Sequence, residues 1–248
     1  MNGRNIGACR DFMAADYTLR MGDLLIGGRD DQYLPAVRRQ LDQFPGMGMT
    51  VHALITSGDR IAIQFSEHGA SGGVGGRCAA WAGIALYRWD GERLTGCVAE
   101  EDYAARRRQL STGSVDPIDP PMAAPWDAAS LPTDVDAERT ARTWLERGAA
   151  AGQVDDLVRR DDEHLGLASS LRFQVATTDV TELFSAGSTV AFHVRQTGYC
   201  LDGVQGKDVS GRSGVLHSAG IVSVVEGAVR TGRIIRDRAG LQRSLLSE

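Results

Sequence analysis

The chain has few of the residues that mark metal sites or disulfide frameworks, and none at the spacings that such sites need. Its four cysteines lack a C-x-x-C pair, and its five histidines lack an H-x-x-x-H or H-E-x-x-H pair. These spacings hold two ligands on one turn or one helix face. We therefore expect no metal site and no disulfide framework.

Cofactor motifs are missing as well. The glycine-rich run GASGGVGG at 69–76 lacks the G-K-[ST] ending of a phosphate loop, and the sequence has no G-x-G-x-x-G dinucleotide fingerprint. Both motifs hold phosphates on backbone amides at the start of a helix. The sequence therefore predicts no nucleotide, and we expect no cofactor.

The chain also lacks an excess of positive charge and a long apolar run. Lys plus Arg number 27 against 32 Asp plus Glu, a net charge of -5, which disfavours nucleic acid as a partner. No apolar stretch approaches the roughly 20 residues that span a bilayer, and the start MNGRNIGACRDF has no apolar signal region. We expect a protein of the cytoplasm that binds neither nucleic acid nor membrane.

Proline is scarce outside one segment. Five of the seven prolines fall within residues 115–133, in the stretch DPIDPPMAAPWDAASLP. Each fixes φ and removes a backbone donor, so this segment continues neither a helix nor a central strand. It predicts a linker between two domains, 1–114 and 134–248.

The two predicted domains resemble each other. TVHALITSGDRIAIQFSEHG at 50–69 aligns without a gap with DVTELFSAGSTVAFHVRQTG at 179–198. Each block is typical of two strands joined by a glycine-containing turn. Residues 90–110 also resemble residues 226–245, and both segments predict a strand that leads through an Asp into a terminal helix. The shared order of elements indicates an internal duplication.

Each copy begins with a helical pattern. The first has DFMAADYTLRMGDLL and QYLPAVRRQLDQF, and the second has DVDAERTARTWLERGAAAG followed by VDDLVRR. Each copy therefore predicts the order α-α-β-β-β-β-α. The fold class is α+β, with helices packed on one face of a curved antiparallel sheet.

This order resembles the cone-shaped fold of the nuclear transport factor 2-like superfamily, in its SnoaL-like and ketosteroid-isomerase-like branches. The residues that carry the resemblance are DYAARRRQL at 102–110, the strands DRIAIQFSEHG and IALYRWDGERLTG, and their second copies. The resemblance implies two tandem α+β barrels arranged as an internal pseudo-dimer, with a further homodimer possible. It does not fix a function, because the family includes isomerases, cyclases, dehydratases, epoxide hydrolases and proteins without chemistry.

In the ketosteroid-isomerase branch, a tyrosine on the first helix donates to the substrate oxygen and an aspartate after the second helix moves a proton. The resemblance places Tyr17 and Asp42 at these positions. Burial at the mouth of an apolar cone raises a carboxyl pKa toward the range of a general base. The alternative is that Tyr17 is a core residue and Asp42 a solvated turn residue.

Strand alternation supplies further candidates. Glu67 shares a face with Ile61, Ile63 and Phe65, while His68 points the other way. If the apolar face lines the pocket, Glu67 is a buried acid, and His68 at the rim is a second acid or base. Alternatively, Glu67 has left the sheet and is solvated.

The last strand of the first copy ends in acidic residues. Glu101 shares a face with the small residues Cys97 and Ala99, which leave space for a ligand. Asp102 predicts an N-cap of the terminal helix, as does Asp237 in the second copy. The run RRR at 106–108 predicts a solvated face.

Aromatic residues are few, at 6%, but Trp81, Tyr87 and Trp89 cluster on one strand of the first copy. They form either core filling or the wall of a pocket for a flat apolar ligand. The alignment places Gln196 opposite Glu67, so the second copy lacks this acid and offers His193 and Arg195, with Arg236, to an anionic part of a ligand.

These residues favour cofactor-free acid/base chemistry on a small apolar, oxygen-bearing organic molecule, such as isomerisation, cyclisation or elimination. Asp42 or Glu67 removes a proton, and Tyr17 or His68 stabilises the oxyanion. One alternative is a non-catalytic binding or assembly module. Another is epoxide opening by water held between Glu101, Asp42 and Arg88.

Overall fold

The computed structural model describes residues 6–73, 75–154, 157–166, 171–202 and 208–246. The first half contains helices α1 (Cys9–Phe12), α2 (Leu34–Gln43) and α3 (Tyr103–Thr112), with strands β1 (Met13–Met21), β2 (Leu24–Gly27), β3 (Gly48–Ser57), β4 (Arg60–Ala70), β5 (Cys78–Trp89) and β6 (Leu94–Glu101). The second half contains helices α4 (Val135–Glu146) and α5 (Arg238–Leu246), with strands β7 (Leu157–Arg160), β8 (Phe173–Ala186), β9 (Thr189–Cys200), β10 (Ser213–Val225) and β11 (Ala228–Arg236).

The first sheet has six strands in the order β2-β1-β6-β5-β4-β3. Strands β3 to β6 pair antiparallel as predicted, and β1 runs parallel to β6. Successive residues of β4 point to opposite faces, so Ile63 and Phe65 pack inside the first half while Ala62 packs against the second half. The two faces of this sheet therefore have different roles.

The predicted first helix, DFMAADYTLRMGDLL, is wrong. Helix α1 ends at Phe12, and the following residues form β1 and β2. Met13, Tyr17, Leu19 and Met21, all at odd positions, pack in the core of the first half. This period-2 burial belongs to a strand, and the strand forms because β6, far away in sequence, supplies its parallel partner. Tyr17 thus lies on a strand.

The second sheet has the order β7-β11-β10-β9-β8. Strand β7 runs parallel to β11, as β1 does to β6, so the helix predicted from VDDLVRR is wrong. Helix α4 is confirmed, and the Asp134 carboxylate caps it by accepting from the amides of Asp136 and Ala137 at 3.0 Å.

The two sheets pack face to face, as expected of an internal pseudo-dimer. Apolar side chains of both sheets form this interface: Ala62, Ile84, Leu86, Phe184, Ala191, Ala219, Ile221 and Ile235. Within the described ranges each sheet keeps two edge strands, so the two halves are open cones with helices on their inner faces. The α+β class is confirmed.

A buried ionic network joins the halves where α3 and α5 begin. Arg238 donates to Asp102 at 2.7 and 2.8 Å and to Asp162 at 2.6 Å. Asp102 also accepts from the Ala105 amide at 3.0 Å, which confirms the predicted cap. The same carboxylate therefore caps a helix of the first half and binds an arginine of the second.

The proline-rich segment between α3 and α4 follows the edge of the first sheet. The Met122 amide donates to the Val51 carbonyl at 2.8 Å, and the Leu131 amide donates to the Thr56 carbonyl at 3.0 Å. These bonds cover part of β3, an edge strand whose backbone groups would otherwise face solvent. In the part of the chain that the structure describes, no helix is long and apolar enough to cross a membrane.

Candidate functional site

The inner face of the first sheet carries a buried pair of carboxyl groups. Glu67 stands opposite Trp81 on the neighbouring strand, and Glu101 stands opposite Gly83 one strand further. The two glutamates are each 9% exposed, and their carboxyl groups lie close enough for each to shift the pKa of the other. Two carboxyl groups form a hydrogen bond only when they share a proton.

Each carboxyl group also has neutral donors around it. The Trp81 indole Nε1 donates to Glu101 Oε2 at 2.7 Å, and the nearby Tyr103 hydroxyl lowers the pKa of the same carboxyl group. The Gln40 amide, which comes from α2 on the roof of the cone, donates to Glu67 Oε2 at 2.5 Å. Two donors favour ionised Glu101, whereas Glu67 has one.

Burial perturbs the pKa of both acids, and the charge of Glu101 adds to the effect on Glu67. Burial is the largest cause that raises the pKa of Glu67, and the neighbouring Glu101 raises it further. Burial likewise raises the pKa of Glu101, opposed by the hydrogen bonds from Trp81 and Tyr103. The pair therefore titrates as a unit and keeps one proton at neutral pH.

Arg106 on α3 lies over the aromatic wall of this site. Its guanidinium carbon is 4.2 Å from the centroid of the Tyr103 ring, 5.0 Å from that of Trp81 and 5.6 Å from that of Phe44. Its charge lowers the pKa of both glutamates. The predicted solvated face of the RRR run is thus wrong for Arg106, because aromatic rings on two sides hold it.

A second polar group lies deeper on the same face. Tyr17, Tyr87 and Cys97 pack together in the core of the first half, and the Tyr17 ring meets the Tyr33 ring edge-on, with 5.0 Å between the ring centroids. Burial raises the pKa of the Tyr17 and Tyr33 hydroxyls and raises that of Cys97 to about 12. These groups are neutral at physiological pH and offer hydroxyl hydrogen bonds within an apolar interior.

The structure does not bring Asp42 or His68 to the glutamate pair. Asp42 is exposed on α2 and lines an outer groove of about 360 Å³ together with Arg38 and Arg39. His68 lies on the opposite face of β4 from Glu67, where its Nε2 contacts Thr50 Oγ1 at 3.1 Å. Tyr17 lies in the core of the first half and Asp42 on its outside, so the two side chains do not form one site.

The water-activating triad is also not assembled. Arg88 lies near the far end of β5, is 56% exposed and pairs with Glu182 at 2.6 Å. Glu101 lies at the other end of the adjacent strand, and Asp42 is on the outer side of α2. Three groups in these places cannot hold one water molecule.

The aromatic cluster divides between two regions. Trp81 is buried at the carboxyl pair, Tyr87 lies at Cys97, and Trp89 is half-buried at the end of β5. Six residues of strand separate Trp81 from Tyr87, about 20 Å.

His193 lies at the interface of the sheets, and Arg195, two residues further along β9, is half-buried. Neither faces the glutamate pair, which is inside the first half.

Sequence reasoning missed Gln40, Tyr103 and Arg106. Tyr103 and Arg106 are three residues apart on α3, a spacing that puts them on one face of the helix. This spacing, directly after the acidic end of β6, could have predicted that both side chains lie near Glu101. Gln40 had no signal, because its contact with Glu67 depends on how α2 crosses the sheet.

Comparisons with known proteins agree with this architecture. Residues 1–97 match the model of the SnoaL-like domain. No curated protein matches the chain.

Similar solved structures each cover less than half of the chain. A candidate polyketide cyclase from Acidithiobacillus ferrooxidans aligns at 23% identity over 46% of this chain and 87% of its own, with a TM-score of 0.40. Wild-type IdmH from Streptomyces antibioticus, a candidate polyketide cyclase, aligns at 19% identity over 44% and 89%, with a TM-score of 0.41. A protein with a ketosteroid isomerase-like fold from Catenulispora acidiphila, in complex with trimethylamine, aligns at 21% identity over 44% and 85%, with a TM-score of 0.40.

TM-scores at this level carry no argument about function, so the resemblance to the SnoaL-like domain rests on the match of residues 1–97 to the domain model. The described residues of this match belong to the six-stranded first sheet and its helices. The second half repeats the four antiparallel strands, the parallel edge strand and the terminal helix. Residues 1–97 of this chain match the SnoaL-like domain, and the second half repeats the strand order of the first half.

Proposed function

We propose that the first half is a cofactor-free acid/base enzyme and that the Glu67–Glu101 pair transfers its protons. The observation that carries the proposal is the pair of buried carboxyl groups that neighbouring strands bring together on the inner face of the sheet. Buried acids of like charge cost stability unless they are neutralised, and such pairs concentrate at functional sites. One ionised and one protonated carboxyl group supply a base and an acid in the same place.

The hydrogen bonds suggest which acid has which role. Glu101 accepts from Trp81, and both Trp81 and Tyr103 lower its pKa, so it is the carboxylate and acts as the base. Glu67 holds the shared proton and delivers it to the oxygen of the substrate. Gln40 orients Glu67 through the bond from its side-chain amide.

The surroundings favour a flat substrate with few charges. Trp81, Phe44 and Tyr103 form an aromatic wall, and Arg106 is the cation nearest to the carboxyl pair. A carbonyl compound that loses a proton beside its carbonyl becomes an enolate, and a cation at the aromatic wall stabilises that charge. Isomerisation, ring closure and elimination share this first step. We therefore propose a polyketide-like or aromatic ketone as the substrate class.

Proton exchange tests this proposal whatever the final product is, because it reports the first step alone. Cyclic and aromatic ketones are incubated with the protein in D₂O, and ¹H NMR follows loss of the signals beside the carbonyl. We expect the wild type to accelerate exchange, and Glu101→Gln to lower this rate by about 10²- to 10⁴-fold, the usual contribution of a general base. Glu92→Gln, on an exposed turn of the same half, is the matched control.

Asp42→Asn separates this site from the one expected from family resemblance. If Asp42→Asn abolishes exchange while Glu101→Gln does not, the base is the exposed aspartate and the carboxyl pair is structural. If the wild type accelerates no ketone, the proposed chemistry is wrong for this substrate class.

A non-catalytic binding module is the second candidate, and the burial of the pair favours it. Trp81 is 1% exposed and both glutamates are 9% exposed, so the site is largely closed in this conformation. A module of this kind binds ketones equally well in the wild type and in Glu101→Gln, without exchange. Line broadening of the ketone signals in the same NMR samples measures this binding.

A further inference from the structure

Three buried side chains with metal-binding atoms meet where the two sheets pack together. Glu100 comes from β6 of the first sheet, and His193 and His217 come from β9 and β10 of the second. Their relative exposures are 2%, 0% and 4%. One ligand atom of each residue lies within 4.8 Å of those of the other two. The cluster forms only when both halves are folded against each other.

The sheet register explains how two histidines that are distant in sequence become neighbours. Ala219 on β10 stands opposite His193 on β9, so His217, two residues before Ala219, lies diagonally on the same face. The two ring centroids are 5.7 Å apart. Sequence spacing could not reveal this pair, since no single turn or helix contains both residues.

The hydrogen bonds of His193 leave its Nε2 lone pair directed at a carboxyl group. Thr181 Oγ1 donates to the His193 carbonyl at 3.1 Å and lies 2.6 Å from His193 Nδ1. Because a hydroxyl group has one proton, Nδ1 carries the ring hydrogen and donates it to Thr181. His193 Nε2 then faces Glu100 Oε1 at 2.9 Å. Such a contact needs a cation between the two atoms, either a proton or a metal ion.

His217 has a buried nitrogen without a partner. Its Nε2 lies 3.0 Å from Asp23 Oδ1, whereas its Nδ1 is buried and has no hydrogen-bond partner among the residues that the structure describes. An imidazole that donates one N–H to a carboxylate presents its other nitrogen as a metal ligand. The Asp23 side chain is 79% exposed, so the cluster lies one side chain below the surface.

We propose that Glu100, His193 and His217 bind one divalent transition-metal ion of the zinc type between the two sheets. Two imidazoles and one carboxylate are a ligand set for Zn²⁺, with a fourth position for water. Tetrahedral bonds of about 2.0–2.1 Å place ligand atoms about 3.3 Å apart, so the side chains need to close by about 1.5 Å at most. The ion replaces the proton between His193 and Glu100 and links the first half to the second.

Metal titration of the full chain tests this site directly. Protein treated with EDTA is titrated with Zn²⁺ in a calorimeter and with Co²⁺ in a visible spectrophotometer. We expect one ion per chain, the intense absorption of tetrahedral cobalt, and a higher Tm with Zn²⁺ because the ion binds only the folded state. Absence of saturable binding, or a cobalt spectrum of the octahedral aqua ion, overturns the proposal.

Variants assign the binding to these residues. Glu100→Gln and His217→Gln remove a ligand and lower Zn²⁺ affinity by at least about 100-fold, while Thr181→Val removes the partner of His193 and lowers it by about 10- to 100-fold. His52→Gln, a histidine of the first half that contacts Ser66, is the control and keeps wild-type affinity. If a ligand variant does not fold, Thr181→Val and the cobalt spectrum of the wild type still decide. Wild-type affinity in folded Glu100→Gln contradicts the proposed site.

Discussion

The two halves fold the same four antiparallel strands, yet they fill the inner faces of these strands with different side chains. In the first half, Glu67 and Glu101 form the carboxyl pair. The aligned positions in the second half are Gln196, which donates to Thr178 Oγ1 at 3.0 Å, and Arg236, which pairs with Asp161 at 2.6 Å. The second half thus carries no counterpart of the pair at these two positions.

The helices that cover the two sheets differ in the same way. Helix α4 packs Trp144 and Leu145 onto Phe192 and Val194, which gives the second half a continuous apolar core. Helix α2 covers the first half and contributes the polar Gln40 to the carboxyl pair. A buried acid pair lowers stability, and proteins retain such features where function needs them. This difference is the one that the proposed function requires, with the acid pair in the first half and the continuous apolar core in the second.

Arg236→Met gives the largest effect that we predict from this comparison. The variant keeps the volume but leaves the buried Asp161 carboxylate without its main partner, and breaking a buried ion pair costs about 3–5 kcal/mol. Urea denaturation measures the loss. Arg139→Met, at an exposed pair on α4, is the control and changes the unfolding free energy by less than about 0.5 kcal/mol. A similarly small change in Arg236→Met would show that Arg238, whose Nε already lies 3.2 Å from Asp161 Oδ2, compensates the carboxylate by itself.

Gln196→Glu transfers half of the carboxyl pair into the second half. Gln196 is fully buried, and Arg236, the cation at the position aligned with Glu101, is already bound to Asp161 and Glu163. A carboxyl group there must be protonated or poorly paired, and we expect a loss of about 2–4 kcal/mol. Denaturant midpoints of the variant and the wild type at neutral pH provide the test. Unchanged stability would mean that both interiors accept acids equally, which removes the contrast between the halves.

The sequence predicted the features of the comparison that depend on local pattern. The alternation on β4 placed Glu67 with Ile63 and Phe65, and the alternation on β6 placed Glu101 with Cys97. The caps Asp102 and Asp237 followed from residue type alone. These signals are local because a side chain's face on a strand depends only on its position along it.

The features that the sequence did not predict depend on contacts between distant segments. The residues of β1 predict a helix because Phe12, Ala15 and Leu19 also fit a helical stripe, and only the parallel pairing with β6 decides between the two patterns. Asp42 and Gln40 lie two residues apart on α2, and the crossing of α2 over the sheet places Gln40 inside and Asp42 outside. The pattern of apolar residues along α2 does not predict how the helix crosses the sheet.

Glu67→Gln gives the smallest effect and tests the pair through its pH dependence. The carboxyl pair has a raised pKa in the folded protein, while the unfolded side chains titrate near 4.5. Above that value the folded state binds more protons than the unfolded state, so unfolding free energy falls as the pH rises toward the raised pKa. We expect the wild type to lose about 1–2 kcal/mol between about pH 6 and pH 8 through this pair, and Glu67→Gln to lose less. Denaturant titrations at several pH values measure both slopes.

Burial also raises the pKa of Glu100, to about 8, but this group is present in both proteins, so its contribution cancels in the difference between their slopes. Equal slopes would mean that Glu67 carries no proton in the folded wild type, and the assignment of acid and base within the pair would then be wrong.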